Sequence, residues 1–232
     1  MDKQTVRERV WREMETGGVV TFPKPARGRV PNFVGSREAA MRLRSLSAYK
    51  SAKTIFVNPD AAQLAVRELA LRDGKRLIMA TPKLREGFII LDPTEIKDVT
   101  EAASIRGAFK HGEKTGIRGV KVDLIVEGSV AVDRKGGRIG KGKGFGDLEV
   151  AILREAGAAT DTTPIVTTVH SLQIVDEVPM NEHDAPVDFI VTPDHVIETA
   201  HAHPKPQGII WEVLSSDAYK QMPILTELRR KR

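Results

Sequence analysis

The feature that most constrains the fold is an alternation of short β-branched, apolar runs with longer amphipathic stretches. The strand-like run KTIFVN precedes a helical pattern over residues 60–72, and the run RLIMAT follows it. Strands joined by helix-length crossovers pair in parallel, and a parallel sheet needs helices on both of its faces. The sequence therefore predicts an α/β fold with a mainly parallel sheet.

The ends of the 60–72 helix carry signals of their own. Asp60 follows a proline and precedes the apolar periodicity, which predicts an N-cap, and Gly74 occupies the position of a left-handed helix terminator. Further elements are predicted as a helix over SREAAMRLRSL, two short strands within VDLIVEGSVAVD, a strand over TPIVTTVH, a hairpin over VDFIVTPDHVIET and a helix over about residues 215–229 interrupted at Pro223.

The amino-terminal stretch KQTVRERVWREME predicts a helix with one apolar side, formed by Val6, Val10, Trp11 and Met14. Lys3 and Arg7 lie one turn apart beside this side. An i, i+4 pair of like charges repels slightly, so an anionic partner held between the two is one interpretation. Solvated helix charges are the other.

Composition limits the classes of protein and site. The 232 residues are 41% hydrophobic and 29% charged, which is typical of a folded chain, and we expect residues 1–232 to form a single α/β domain. The absence of cysteine excludes disulfides, thiolate metal sites and a cysteine nucleophile. No apolar run reaches the roughly 20 residues of a membrane span, so we expect a cytoplasmic protein without a membrane partner.

The net charge of +5 suits a phosphate-bearing partner. Aromatic residues make up only 5%, and the positive charge is scattered, which disfavours nucleic acid as that partner. The one dense basic run, residues 228–232, is interpreted as a solvated helix end. The sequence leaves open whether the protein is a monomer or a homodimer.

A long loop rich in proline, glycine and basic residues covers residues 17–35. Loops of this length are binding loops or connectors more often than neutral spacers. Arg27 and Arg29 are therefore candidates for substrate contact, with a surface wrap as the equal alternative.

The strongest chemical signal is the stretch VAVDRKGGRIGKGKGFGDLEVAIL, in which a strand, a basic glycine-rich loop and a helix follow one another. Glycines remove side chains from the loop, so phosphates can approach its backbone N–H groups and the positive end of the helix. Arg138, Lys141 and Lys143 add charge. The loop from Gly136 to Asp147 is therefore predicted to bind a polyphosphate at the carboxyl end of a strand.

The loop matches neither a Walker A motif nor a dinucleotide fingerprint. Asp147 has two predicted roles, as N-cap of the following helix or as a carboxylate ligand of Mg²⁺. His170 and His183 are each either a proton donor or a hydrogen-bonded structural residue. The histidines at 195, 201 and 203 are either metal ligands or surface loop residues, and the prolines at 204 and 206 favour the surface interpretation.

The loop resembles the pattern G-x-R-[IL]-G-x-G-x-G-[YF]-[YF]-D of the 5-formyltetrahydrofolate cyclo-ligase family. The matching residues are Gly136, Arg138, Ile139, Gly140, Gly142, Gly144, Phe145 and Asp147. Lys3 and Arg7 match an amino-terminal K-x-x-x-R pair, and residues 183–192 match H-D-x-x-[VM]-D-x-[IV]-x-T. The resemblance implies a three-layer α/β sandwich similar to ribose-phosphate isomerase and CoA-transferase folds.

The resemblance also implies an ATP- and Mg²⁺-dependent reaction in which the formyl oxygen of 5-formyltetrahydrofolate is phosphorylated and ring closure gives the methenyl form, ADP and phosphate. It assigns catalysis to Arg138, Lys141 and Lys143, the metal to Asp147, and the folate substrate to Gln63 and Phe145. The ATP-binding residues that it implies are Lys3, Arg7, Arg138, Gly140, Lys141, Gly142, Lys143, Gly144, Phe145 and Asp147.

One departure concerns the small-molecule substrate. Gln63 stands where the family has a pterin-binding glutamate, and a neutral amide cannot form the same charged pair. Two alternatives therefore stay open: an ATP-using enzyme for another heterocycle, such as a thiamin-related compound, and a non-catalytic RNA-binding or regulatory module.

Overall fold

The computed structural model describes residues 2–230, so the last two residues of the basic run, Lys231 and Arg232, lie outside the described residues. The helices are α1 (Lys3–Thr16), α2 (Ser36–Leu43), α3 (Ser47–Ser51), α4 (Leu64–Arg72), α5 (Val99–Ala102), α6 (Ile105–His111), α7 (Phe145–Glu155), α8 (Ser216–Gln221) and α9 (Pro223–Arg230). Among residues 2–230, no helix has the length and apolar character needed to cross a bilayer.

The strands are β1 (Thr54–Val57), β2 (Arg76–Ala80), β3 (Phe88–Leu91), β4 (Glu113–Thr115), β5 (Leu124–Glu127), β6 (Ala131–Asp133), β7 (Arg138–Ile139), β8 (Ile165–Thr168), β9 (Ile174–Val175), β10 (Phe189–Val191) and β11 (Val196–Glu198). An eight-stranded sheet has the order β11-β10-β8-β5-β1-β2-β3-β4. Its central strands β10, β8, β5, β1 and β2 pair in parallel. The edge pairs β2–β3, β3–β4 and β10–β11 are antiparallel, so the prediction of a mainly parallel sheet is confirmed.

Helices cover both faces of this sheet. Every residue of β1 is buried, and Phe56 packs in one apolar cluster with Val150 of α7. Ile55 packs on the opposite face with Val66 of α4. This two-sided burial is the physical reason why the central strands are apolar without alternation, and it gives the three-layer arrangement.

The predicted helix over residues 60–72 forms with a different start. Residues 61–63 make a 3-10 turn before α4 begins at Leu64. Asp60 makes no side-chain cap hydrogen bond, because its carboxylate accepts from Lys141 Nζ instead, at 2.5 Å. The prediction for the other end is confirmed, since Gly74 is left-handed with φ +71°.

The glycine-rich stretch is carried by a second, three-stranded sheet with the order β7-β6-β9. Gly136 and Gly137 belong to the β6–β7 turn, where Asp133 Oδ1 accepts from the Gly137 amide at 2.9 Å. The loop that faces the cavity is therefore residues 140–144, shorter than predicted. It follows β7 and not a strand of the parallel sheet, which corrects that part of the sequence interpretation.

The loop over residues 17–35 wraps α1. Arg27 forms an ion pair with Glu8 of α1 at 2.9 Å, and the carbonyl oxygen of Arg29 accepts from the Trp11 indole at 2.9 Å. Trp11 lies on the buried side of α1 that the periodicity predicts. Within the described residues, Val30 lines the cavity but neither arginine does, so the surface-wrap interpretation is the one that the structure favours.

Candidate functional site

A cavity of about 760 Å³ opens at the carboxyl ends of the parallel strands. The segments that follow β1, β2 and β5 supply residues 58–60, residues 81–83 and Gly128 to its lining. The loop 140–144 and the start of α7 form the facing wall. Polar backbone and loop side chains converge there because each strand ends at this edge, which is where open α/β sheets bind ligands.

The backbone of the loop is fixed by two left-handed glycines. Gly142 has φ +89° and Gly144 has φ +70°, and Gly144 occupies the N-cap position of α7. Arg7 of α1 lies against the loop: its Nε donates to the Gly140 carbonyl at 2.7 Å, and a Cβ on Gly142 would lie 3.3 Å from its Cζ. Arg7, which the family resemblance implies as an ATP-binding residue, therefore lies beside the glycine loop.

The lysines of the cavity lie in different electrostatic settings. Lys3 forms an ion pair with Asp184, and Lys141 forms one with Asp60 at 2.5 Å. Lys143 is exposed at the cavity mouth, and no ion pair of Lys143 is found among the described residues. An incoming anion has to compete with a carboxylate for Lys3 and Lys141 but not for Lys143.

Arg138 is almost completely buried in the cavity wall, with 2% of its surface exposed. Its Nη2 is paired with Asp147, and its Nε donates to the Ala185 carbonyl at 3.0 Å. Its Nη1 donates to the Gly128 carbonyl at 3.2 Å. Each of the three guanidinium nitrogens therefore has a partner within the protein. This arrangement suits Arg138 to the structural role of holding the Asp147 carboxylate in place.

Asp147 does not cap α7, contrary to one of its two predicted roles. The helix begins at Phe145, two residues earlier than predicted, and Asp147 lies in its first turn, where the helix dipole favours a negative charge. Asp147 Oδ1 accepts a hydrogen bond from the Ala185 amide at 3.0 Å. Asp184, which precedes Ala185 in the sequence, therefore lines the cavity close to Asp147. Sequence reasoning noted Asp184 within a motif but did not select it as a site residue.

Asp147 and Asp184 are the residues that could hold Mg²⁺. Magnesium in nucleotide sites takes one or two protein carboxylates and completes its shell with water and phosphate oxygens. A set of two carboxylates beside a basic loop fits that pattern. Within residues 2–230 no group of three or more His, Cys, Asp or Glu residues forms a self-sufficient metal site.

A buried carboxyl pair below the cavity was missed by the sequence analysis. Glu127 ends β5 with 0% exposure, and Glu149 on α7 has 5% exposure and lines the cavity. Asn58 Nδ2 donates to Glu149 Oε2 at 2.6 Å and to Glu127 Oε1 at 3.4 Å. Burial raises the pKa of both carboxyls, and the nearby charge of Glu127 raises the pKa of Glu149 further. The sequence did contain signals for this pair: Glu127 interrupts an apolar strand run, and Glu149 lies on the apolar side of a helix.

Of the two predicted substrate contacts, Phe145 lies in the cavity wall and Gln63 does not. Gln63 is completely buried, and its Nε2 donates to Thr168 Oγ1 at 3.3 Å. Its Oε1 lies behind Gly128, at 2.8 Å from the position that a Cβ on this glycine would take. Gln63 is therefore set behind the cavity surface.

The two candidate histidines have different surroundings. His170 is the N-cap of a short 3-10 turn, where its Nδ1 accepts from the Leu172 amide at 3.2 Å, and burial lowers its pKa. Among the described residues that line the cavity, His183 is present and His170 is absent. The structural interpretation therefore fits His170.

A second, more apolar groove of about 390 Å³ adjoins the loop. It shares Lys143, Gly144 and Phe145 with the cavity and is closed by residues 208–210 and by α8. The carboxyl-terminal segment thus builds one side of the groove. The two spaces therefore meet at the glycine loop.

Comparisons with known proteins show the family of this chain and support its fold. The sequence profile of the 5-formyltetrahydrofolate cyclo-ligase family matches residues 1–193. The methenyltetrahydrofolate synthase domain-containing proteins of Mus musculus and Homo sapiens are 43% and 40% identical over 238 aligned residues, covering all of this chain. The chain spans 64% and 62% of those two relatives.

The 5,10-methenyltetrahydrofolate synthetase of Aquifex aeolicus, solved by NMR, superposes with a TM-score of 0.54. The superposition covers 88% of this chain and 96% of that chain at 21% sequence identity, which supports the fold.

The fold and the site define an α/β protein with a basic, glycine-lined ligand cavity at the carboxyl edge of a parallel sheet. Within that class, the chain belongs to the 5-formyltetrahydrofolate cyclo-ligase family, which is a family of enzymes.

Proposed function

We propose that this chain catalyses the ATP- and Mg²⁺-dependent conversion of 5-formyltetrahydrofolate to its methenyl form, with release of ADP and phosphate. One observation carries the proposal: Lys3, Arg7, Lys141 and Lys143 line one cavity around a loop in which glycine alternates with lysine, at Gly140, Gly142 and Gly144. Basic side chains and accessible N–H groups at a helix start are what a triphosphate requires.

The reaction needs phosphate positioning and charge neutralisation more than proton transfer. In the proposed reaction the formyl oxygen accepts the terminal phosphoryl group of ATP, and a neighbouring ring nitrogen then displaces phosphate as the ring closes. Lys141 and Lys143 would stabilise the charge on the transferred group. Arg138 would act by holding Asp147, since all three of its guanidinium nitrogens are engaged by the protein.

Asp147 and Asp184 would hold Mg²⁺, and the ion would supply neutralisation of the phosphate charge. Asp184 also forms an ion pair with Lys3 through Oδ2. Lys3 and the ion would therefore share this carboxylate.

A second candidate keeps ATP but changes the heterocycle. It is favoured by the neutral, fully buried Gln63 at the position where the family resemblance implies a pterin-binding carboxylate.

Calorimetric titration with Mg-ATP, followed by 5-formyltetrahydrofolate in the presence of a non-hydrolysable ATP analogue, tests the proposal. We expect both ligands to bind and the wild-type chain to form the methenyl product with stoichiometric phosphate. Lys135→Ala is a matched control, because Lys135 lies on the β6–β7 turn and pairs with Glu177 outside the cavity lining.

Nucleotide binding without methenyl formation would reject the folate substrate and leave the second candidate. Absence of nucleotide binding would reject both.

A further inference from the structure

The turn between β2 and β3 presents a lysine to the cavity in an uncommon backbone conformation. Lys83 has φ +58° and ψ +24°, and the next residue, Leu84, has φ +53°. Two successive left-handed residues that carry a Cβ are strained, because each Cβ lies too close to the carbonyl oxygen that follows it. Glycine at the same positions would avoid this strain.

The turn keeps this conformation because its two ends are tied together. The amide and the hydroxyl of Thr81 both donate to the Gly87 carbonyl, at 3.0 and 2.9 Å. The Glu86 amide donates to Thr81 Oγ1 at 3.0 Å, and Leu84 is completely buried. The surrounding structure therefore fixes the backbone of Lys83, and strain that is maintained in this way is characteristic of functional sites.

Lys83 lines the cavity, and its side chain is exposed there. Within residues 2–230 its ammonium group has no hydrogen bond or ion pair. The turn carries a second basic residue, Arg85, which has an ordinary φ of −62° and is absent from the cavity lining in the described part of the chain. Of the two basic residues, the strained one is thus the one that faces the ligand space.

Strand order places Lys83 across the cavity from the glycine loop. Strands β1 and β2 pair directly, so the segment 81–83 after β2 lies beside residues 58–60 after β1. Lys141 of the loop reaches Asp60 in that neighbouring segment, at 2.5 Å. A phosphate group held between the loop and this edge of the sheet therefore has Lys141 on one side and Lys83 on the other.

We propose that Lys83 is a further catalytic residue, which contacts the terminal phosphoryl group of the nucleotide from the wall opposite the glycine loop and is held there at a cost in backbone strain. During transfer the charge of this group is spread over three oxygens, so cations from more than one direction stabilise it. A cation whose backbone is fixed before the ligand binds needs little reorganisation during the reaction.

The inference rests on the proposed function for the transfer step. In that step the formyl oxygen forms a bond to phosphorus while the bond from phosphorus to the ADP oxygen breaks, and the ADP oxygen keeps the electron pair. Lys83 stays protonated throughout, so it contributes charge and takes no part in proton transfer.

Binding of a transition-state mimic tests the contact without turnover. Mg-ADP with tetrafluoroaluminate presents a planar, charged group where the phosphoryl group would be. Lys83→Ala should weaken binding of this complex by roughly tenfold or more, the effect of losing one electrostatic contact to the transferred group, and should change binding of Mg-ADP alone much less. Lys83→Arg, which keeps the charge, should retain part of the affinity.

Arg85→Ala is the matched control, because Arg85 belongs to the same turn and lies outside the cavity lining among the described residues. It should bind the fluoride complex as the wild-type chain does. The rate of methenyl formation in the same variants gives a second measurement. Lys83→Ala should lower kcat by roughly tenfold or more and leave KM for ATP nearly unchanged.

Stability gives an independent test of the strain. Lys83→Gly and Lys83→Ala both remove the ammonium group, but only glycine adopts φ +58° freely. Lys83→Gly should therefore unfold at a higher urea concentration than Lys83→Ala, while both variants lose the affinity for the fluoride complex. Because Lys83 is exposed, both variants should fold, and circular dichroism verifies this.

The inference is overturned if folded Lys83→Ala keeps the wild-type affinity for the fluoride complex, if Arg85→Ala loses as much, or if the glycine variant is no more stable than the alanine variant. Methenyl formation at the wild-type rate in Lys83→Ala would reject this inference alone. Lys83-dependent binding of the fluoride complex by a chain that forms no methenyl product would reject the proposed function and leave the phosphoryl contact standing.

Discussion

At the scale of single residues, the charge of the cavity is set by how each lysine is paired. Lys141 is held by Asp60, whereas Lys143 extends from the loop without an ion pair among residues 2–230. A phosphate group can therefore bind Lys143 directly, whereas it has to displace the Asp60 carboxylate to bind Lys141.

Lys141→Ala and Lys143→Ala should each weaken Mg-ATP binding by about 1–3 kcal/mol, the range for a hydrogen bond to a charged group. Isothermal titration at fixed ionic strength measures the change, because salt screens such contacts. Lys135→Ala should bind as the wild type does. Unchanged affinity in both cavity variants would remove the loop from the nucleotide site.

Asp60→Asn should strengthen Mg-ATP binding by about 1 kcal/mol or less, the range of a partly exposed ion pair. The substitution removes the carboxylate that competes for Lys141 at 2.5 Å. In the Lys141→Ala background the same substitution has no lysine to release, so its effect there should be smaller. An equal effect in both backgrounds would contradict competition for Lys141, and a double-mutant cycle measures the difference.

At the scale of elements, the loop depends on backbone conformations that only glycine adopts without strain. Gly142 has φ +89°, and a Cβ there would also press on the Arg7 guanidinium at 3.3 Å. Gly140 has no such φ, and its nearest contact would be an ordinary 3.7 Å to Arg138. Of these two glycines, only Gly142 has a backbone conformation and a close contact that require glycine.

Gly142→Ala should lower the free energy of unfolding by about 1–2 kcal/mol, the cost of a left-handed residue with a Cβ. Gly140→Ala should leave it nearly unchanged. Urea unfolding of the two variants beside the wild type gives the comparison. Equal losses would mean that the loop adopts another conformation.

At the scale of the whole molecule, the buried carboxyl pair links stability to pH. Burial raises the pKa of Glu127 from 4.5 to about 8. Over that range the folded chain keeps a proton that the unfolded chain loses, so the stabilisation is complete below about pH 4.5 and is lost as the pH rises through 8. The expected slope is a loss of about 1.4 kcal/mol per pH unit for one proton.

Glu127→Gln should flatten this part of the pH dependence, because a neutral amide takes no part in the titration. Urea unfolding at several pH values between about 5 and 8 measures the slope. Glu155→Gln leaves both buried carboxyls in place and should keep the wild-type slope. A Glu127→Gln variant with the wild-type slope would show that the proton resides elsewhere.

The carboxyl-terminal helix α9 packs against the main sheet, although the match to the family profile ends at residue 193. Leu225 of α9 is completely buried in the cluster that also contains Phe88 of β3. Leu225→Ala should therefore cost about 2–5 kcal/mol of unfolding free energy, whereas Thr226→Ala on the half-buried side should cost less than 1 kcal/mol. Equal small losses would mean that α9 is dispensable.

The organisation of residues 1–232 as one domain stays a prediction.

The sequence by itself determined the features that local patterns encode. Apolar runs and helical periodicity predicted β1, α4 and β2 in order, and the clustered glycines and lysines indicated the loop. These predictions succeeded because strand burial, helix amphipathicity and glycine conformation are properties of neighbouring residues.

Only the tertiary structure decided which distant groups meet. In the folded chain, Asn58 after β1, Glu127 of β5 and Glu149 of α7 form one buried cluster. Gln63 packs against Gly128, and the glycine loop follows a strand of a second sheet. Such contacts depend on strand order and on the packing of α7, which no local pattern states. The same packing sets the burial that raises the carboxyl pKa values, so the chemistry of this cavity is a property of the fold.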